Sequence, residues 1–96
     1  SGFTMYVYSQ HGYSLPHSAT SQWQSGLGTR VYSISELQPG DLVFFGSSAS
    51  SISHVGIYVG DDTFIHSPHT GDVVKYESLS GNYASRFQGG GRVIFD

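Results

Sequence analysis

The chain of 96 residues contains no cysteine, and this absence excludes a disulfide framework and a tetrathiolate metal site. Charge is also scarce, because charged residues make up only 11% of the chain and the formal net charge is -3. The few basic residues are spread along the sequence: Arg30, Lys75, Arg86 and Arg92. A protein that holds nucleic acid by its phosphates needs clustered Lys and Arg side chains. The composition therefore argues against a nucleic-acid partner.

Long apolar runs are missing as well. No run approaches the roughly 20 residues that a bilayer-spanning helix needs, so we expect no membrane span in this chain. The length suits a single domain with one modest core, and we expect residues 1–96 to form one domain and to be monomeric. The sequence is instead rich in Gly, Ser and aromatic residues (7 Tyr, 6 Phe and 1 Trp). A polar surface with little charge is typical of secreted and cell-wall proteins.

Helical signals come first along the chain. Residues 1–11 predict a helix because apolar residues recur at i, i+3 and i+4. Residues 13–16 predict a turn, and Ser18 is a suitable N-cap for a short second helix that runs to Gln24. Residues 34–40 predict a brief turn or helical pass that closes on Pro-Gly.

After Gly40 the apolar period changes to two, which indicates strands. We predict a flexible surface loop at residues 46–52, which are rich in Ser, and a short helical stretch at residues 82–87. The predicted strands are residues 41–45, 53–60, 63–66, 72–76 and 92–95. Helices followed by hairpin-connected strands predict an α+β fold with an antiparallel sheet.

The hairpin at residues 53–66 carries two histidines, His54 and His66. A two-residue turn at its tip would place them on opposite faces of the sheet. A three-residue loop at residues 60–62 would place His66 opposite Gly56, so that the two histidines share a face as diagonal neighbours about 7–8 Å apart. The spacing permits such a pair, and it also permits His66 to be simply a half-buried strand residue.

A pair of histidines suits nucleophilic catalysis. A catalytic histidine needs a hydrogen bond to one ring nitrogen, so that the other nitrogen presents the correct tautomer to the nucleophile. His54 as the base and His66 as the residue that orients it would meet this requirement.

A metal site is the alternative, because the chain holds three further histidines, His11, His17 and His69. Zinc needs three or four convergent ligands, and the spacing of these residues does not favour convergence. We therefore expect no metal and no cofactor. Asp41 after Pro-Gly and Trp23 on the second helix are interpreted as structural residues.

Several blocks of the sequence resemble the NlpC family of papain-like cell-wall peptidases. The resemblance runs in order from the first residue to about Tyr83. Its most specific blocks are Pro-Gly-Asp-Leu-Val-Phe-Phe at residues 39–45 and Ser-His-Val-Gly-Ile-Tyr at residues 53–58. Further matches are Ser1-Gly2-Phe3, Tyr6-Val7-Tyr8, Leu15-Pro16, Ser18, Gln22, Leu37-Gln38 and Phe64-Ile65-His66.

The resemblance implies a papain-like α+β fold with the N-terminal helix packed on the sheet, and a Cys-His-His endopeptidase. Such enzymes cleave the bond between D-γ-glutamate and the diamino acid of peptidoglycan stem peptides, outside the cell or at the bacterial cell wall. His54 matches the catalytic histidine and His66 the third residue. The family's cysteine would immediately precede Ser1, so the resemblance implies that this N-terminal part of the domain is missing from residues 1–96.

Ser1 is expected to contribute to substrate binding, or else simply to cap the first helix. Two other functions are open alternatives at this point. One is a module that binds cell-wall peptides without cleaving them, because the chain holds no thiol. The other is an amidase of the related CHAP group.

Overall fold

Three short helices, one 3-10 turn and a six-stranded sheet make up the part of the chain that the computed structural model describes, namely residues 2–10, 18–24, 29–67 and 73–92. In chain order the elements are helix α1 (Gly2–Gln10), helix α2 (Ala19–Gln24), β1 (Thr29–Val31), a 3-10 turn (Ile34–Glu36), β2 (Leu42–Ser48), β3 (Ser51–Gly60), β4 (Thr63–His66), β5 (Lys75–Ser78), helix α3 (Gly81–Arg86) and β6 (Phe87–Arg92).

All pairings in this sheet are antiparallel, in the spatial order β1-β6-β2-β3-β4-β5. Strands β2 to β5 form a meander in chain order. The last strand, β6, inserts between β1 and β2, so that the first and last strands are neighbours in the sheet.

The central strand β2 is buried on both faces, and its alternation divides the core in two. Leu42 and Phe44 pack on one face with helices α1 and α2. Val43 and Phe45 pack on the other face, where α3 lies against the sheet. This second face also carries the two histidines of the hairpin, since Phe45 pairs directly with His54.

Side-chain hydrogen bonds tie α1 to its surroundings. The buried Thr4 hydroxyl donates to the side-chain oxygen of Gln22 on α2, at 2.8 Å. The Tyr8 hydroxyl donates to the carbonyl of Gly40, in the turn before β2. Together with packing against Val55 and Ile57, these bonds hold α1 against β3, the strand that carries His54.

Several sequence predictions are confirmed. The backbone N–H of Ser21 donates to the Ser18 hydroxyl at 3.0 Å, which is the N-cap predicted for α2. Asp41 is structural: its carboxylate accepts the N–H of Gln38 and two hydrogen bonds from Arg92. Trp23 packs 5.2 Å from the ring of Phe44, and its N–H donates to the carbonyl of Ala49.

The predicted loop at residues 46–52 is wrong, because β2 continues to Ser48 and β3 begins at Ser51. Two register shifts after Phe45 bend the strands without ending their pairing. Helix α2 holds this extension in place, since Thr20 donates to the carbonyl of Ile52 at 2.8 Å. Serine is compatible with these strands because Ser47, Ser48 and Ser51 are exposed, whereas Ile52 is buried in the core.

The predicted ends of the later strands also need correction. Strand β5 spans Lys75–Ser78 rather than residues 72–76, and the last strand begins at Phe87 rather than at residue 92. The glycines of β6 gave no strand signal in the sequence, because glycine is a poor strand former. The structure gives their reason: a Cβ at Gly89 or Gly90 would lie 2.8 Å from the ring of Trp23 or from Leu37, respectively.

Strand β1 was not predicted at all, whereas β2, α1, α2 and α3 lie close to their predicted positions. The predicted turn at residues 13–16 and the predicted strand positions 93–95 lie outside the described residues. Among the residues that are described, no helix is long and apolar enough to span a membrane.

Candidate active site

The tip of the β3-β4 hairpin sets the register of the two histidines. Asp61 and Asp62 form a two-residue turn with φ values of 51° and 54°, the left-handed geometry that a type I′ turn requires. Gly60 pairs with Thr63 across it, but a register shift at the next position makes Tyr58 pair with Phe64. The shift restores the register expected for a three-residue loop, and this register points His66 toward Gly56.

Gly56 leaves the space that His66 occupies. A Cβ at this position would lie 2.8 Å from Phe64 Cδ2, 3.0 Å from the carbonyl oxygen of Ile65 and 3.3 Å from the Cβ of His66. Real Cβ atoms essentially never approach another atom closer than 3.0 Å, and the contact with Phe64 would be shorter than this. The absence of a side chain therefore allows β4 to bring His66 close to His54.

The two imidazole rings are in direct contact. His54 Nε2 lies 2.7 Å from His66 Nδ1, and the ring planes are 68° apart. The prediction that both rings project from one face within hydrogen-bonding distance is confirmed. The catalytic role assigned to them stays a prediction.

An aromatic shell surrounds His66, which is fully buried. The centroids of the Phe64 and Tyr83 rings lie 4.7 Å and 5.6 Å from the His66 ring, and the Tyr83 ring stands at 85° to it. Phe45 stacks 6.1 Å from His54. These rings limit the contact of the histidine pair with water on the inner side of the sheet.

Burial lowers the pKa of His66 below its ordinary value of 6.5, while the neighbouring carboxylate of Glu77 opposes this shift. His66 is therefore a neutral imidazole at neutral pH. A neutral imidazole carries one N–H and one lone pair, so it can accept a hydrogen bond from His54 with one nitrogen and donate with the other.

Glu77 on β5 is a residue that sequence reasoning missed. Its Oε1 lies 3.4 Å from His66 Nε2, on the side of the ring away from His54. The lowering of the His66 pKa by burial is larger than the raising of this pKa by Glu77, which agrees with the long distance between the two groups. Only the alternation of β5 could have suggested Glu77, and the strand predicted at residues 72–76 ends before this residue.

Ser1, His11, His17 and His69 are outside the described residues. Within the part of the chain that the structure describes, no three metal-ligating side chains come together.

A family model described as "NlpC/P60 family" matches residues 1–92. The chain belongs to the NlpC/P60 family. This NlpC/P60 domain is 46% identical over 94 residues to "Probable endopeptidase p60" of Listeria seeligeri, covering 97% of this chain and 17% of that protein. It is 35% identical over 82 residues to "Gamma-D-glutamyl-L-lysine dipeptidyl-peptidase" of Bacillus subtilis, covering 83% of this chain and 27% of that protein.

Solved structures agree with the family assignment. An NlpC/P60 family protein from Bacillus cereus has a TM-score of 0.82 at 33% identity, over 96% of this chain and 30% of that one. RipD from Mycobacterium tuberculosis has a TM-score of 0.71 at 27% identity, over 93% of this chain and 61% of that one. It is described as a non-catalytic NlpC/p60 domain protein adapted to peptidoglycan binding. The predicted papain-like α+β fold is confirmed, and the chain spans a small part of the curated relatives.

Proposed function

We propose that this NlpC/P60 domain is the catalytic part of a peptidoglycan endopeptidase that cleaves the bond between D-γ-glutamate and the diamino acid of stem peptides. The observation that carries the proposal is the 2.7 Å contact between His54 and His66. A buried histidine that holds a second, less buried histidine is the arrangement of a base and its orienting residue. The name of the Bacillus subtilis relative supports the choice of bond.

The nucleophile in this proposal is the thiolate of a cysteine that immediately precedes Ser1 in the protein, at the N-terminus of α1. The positive end of the helix dipole favours a thiolate there, and the first backbone N–H groups of the helix can stabilise an oxyanion. Helix α1 packs against β3, the strand of His54, which supports a shared cleft. Ser1 would contribute to binding the substrate beside the scissile bond.

The reaction then follows from the proton on His54. The thiolate attacks the scissile carbonyl carbon, and His54 gives its proton to the amine of the leaving diamino acid. The resulting thioester is hydrolysed by water, from which His54 takes a proton, and the thiol is regenerated. His66 holds the ring of His54 in place through both steps. The substrate implies a location outside the cell or at the cell wall.

The competing proposal is a module that binds stem peptides without cleaving them. It is favoured by the similarity to RipD, which is described as a non-catalytic NlpC/p60 domain protein. The two proposals share the fold and the ligand, so only turnover distinguishes them.

The test uses the full-length protein and a synthetic L-Ala-γ-D-Glu-diamino acid peptide. We expect release of the free amine, and a loss of at least about 10³-fold in kcat for His54→Ala and for replacement of the preceding cysteine by alanine. His66→Ala should be milder, because water can replace part of an orienting residue. Tyr32→Ala is the control, since this side chain is 72% exposed next to β1, at the far edge of the sheet from β5.

Calorimetric titration of the same peptide completes the test. Binding without release of amine by the wild-type protein would overturn the endopeptidase proposal and support the binding module. Turnover that survives loss of the cysteine would show that the nucleophile is a different group.

A further inference from the structure

We propose that Glu77 is a positioning residue that fixes which nitrogens of the histidine pair carry protons. The chain of contacts would run from Glu77 through His66 to His54, and it adds a fourth member to the catalytic group. The inference rests on the proposed function for its consequence in catalysis, whereas its structural content can be tested without activity.

The register of the sheet brings Glu77 to this place. Phe64 pairs with Glu77 and His66 pairs with Lys75, so all four side chains lie on one face of the β4-β5 pair. The Glu77 side chain is 34% exposed, whereas that of His66 is 0% exposed. Glu77 therefore reaches from the solvent-exposed edge of the sheet to Nε2 of the buried His66 ring.

Among the described residues, His66 Nε2 has the Glu77 carboxylate as its nearby hydrogen-bond acceptor. His66 Nε2 is buried and has no hydrogen bond of normal length within the described residues, and the Glu77 carboxylate oxygen at 3.4 Å is the nearby acceptor. A buried polar atom without a partner destabilises the fold. Modest closure of the gap, for example when substrate covers the site, would turn this contact into a full hydrogen bond.

The charge of Glu77 determines the tautomer of His66. A lone pair on Nε2 would face the negative carboxylate, whereas an N–H on Nε2 is attracted to it. The proton therefore resides on His66 Nε2, and His66 Nδ1 accepts a hydrogen bond from the Nε2–H of His54. His54 Nδ1 then carries the lone pair with which a general base takes a proton.

The opposite arrangement would be unproductive. If His66 carried its proton on Nδ1, it would donate to His54 Nε2, and the neutral His54 would carry its own proton on Nδ1. The base would then have no lone pair on the nitrogen that remains for chemistry. A wrong tautomer of this kind is costly even when the geometry of a catalytic group is intact.

Other charged or titratable groups near the histidine pair, among the described residues, do not accept a hydrogen bond from His66 Nε2. Lys75 on β5 pairs with His66 and would repel an N–H. Tyr83 on α3 contacts His66 edge-on through its ring, and Arg86 on the same helix donates to the Ser53 hydroxyl.

The experiment measures the ring 15N shifts of His66 and His54 in the labelled protein at neutral pH, since protonated and unprotonated ring nitrogens have well-separated shifts. We expect both rings to be protonated on Nε2 in the wild type. In Glu77→Ala a substantial part of His66 should move to the Nδ1-protonated form. Glu77→Gln, which keeps an oxygen acceptor, should recover part of the wild-type pattern, and Lys75→Gln is the control that removes a neighbouring charge without removing the acceptor.

Turnover of the stem peptide gives the second readout. Partners that orient a metal-binding histidine contribute about 10–100-fold, and we expect a loss of that order in kcat for Glu77→Ala, with a smaller loss for Glu77→Gln and an unchanged KM. Wild-type ring shifts in Glu77→Ala would overturn the inference. If the wild-type protein binds the peptide without cleaving it, the endopeptidase proposal fails while the ring shifts still decide the role of Glu77.

Discussion

Replacing Gly56 by alanine tests whether the histidine pair depends on the close approach of β3 and β4. The new methyl group would lie 3.0 Å from the backbone oxygen of Ile65 and 2.8 Å from Phe64. A backbone atom cannot rotate away, so β4 must move by a few tenths of an ångström. Because His66 is on β4, the 2.7 Å contact with His54 should lengthen with it.

The size of the effect follows from overpacking a closely packed site. Adding a methyl group to a filled core costs about 1–3 kcal/mol. For a domain of this size, 1 kcal/mol corresponds to roughly 4–8 °C in the midpoint of thermal unfolding, so we expect a fall of about 10 °C for Gly56→Ala. The loss of kcat should exceed that expected from unfolded protein alone, because the change displaces the orienting residue.

Gly91→Ala is the matched control. Gly91 is also a strand glycine, but a Cβ there would meet only Phe44 at 3.6 Å, an ordinary contact. Alanine in a compatible backbone conformation is expected to be neutral or to stabilise by about 0.4–1 kcal/mol. Circular dichroism melts and peptide turnover of the two variants would be compared. Equal melting points and equal turnover for Gly56→Ala and the wild type would refute the reasoning.

Two further predictions concern stability. Because the pKa of His66 is lowered in the folded chain, the unfolded chain takes up a proton near pH 6.5 that the folded chain does not. The free energy of unfolding should therefore fall as the pH drops below about 6.5. Urea titrations should show a smaller fall for His66→Gln than for the wild type. Asp41→Asn should lower the free energy of unfolding by about 2 kcal/mol in the same assay, because the buried carboxylate accepts two hydrogen bonds from Arg92. Asp61→Asn, at the exposed hairpin tip, should change the free energy of unfolding by less than about 0.5 kcal/mol, and an equal loss in both Asp variants would contradict the role of the ion pair.

The histidine pair could be predicted from the sequence because both residues lie on one hairpin. A period of two fixes relative faces once the tip is known, and only two turn lengths were plausible. The structure combines them: the turn has two residues at Asp61 and Asp62, and the shift near Val59 supplies the third. The register expected for a three-residue loop is therefore present, but the register shift that produces it was not predicted.

Glu77 and the glycine strand could not be found in this way. The position of Glu77 depends on where β5 begins after a long connection, and a shift of one residue would turn its side chain to the other face. Two of the three consecutive glycines of β6, Gly89 and Gly90, leave the space that Trp23 and Leu37 occupy. Such tertiary contacts leave no periodic signal in the strand itself.

The order of the strands has a consequence for how the domain folds. The pairs from β2 to β5 connect neighbouring segments of the chain, whereas β1 reaches the sheet only through β6, with Thr29 opposite Arg92. Closing such a long loop costs more entropy than closing a hairpin, so β1 and β6 should join late. His54, His66 and Glu77 all lie in the local meander, and we expect their contacts to form in the early, fast part of folding.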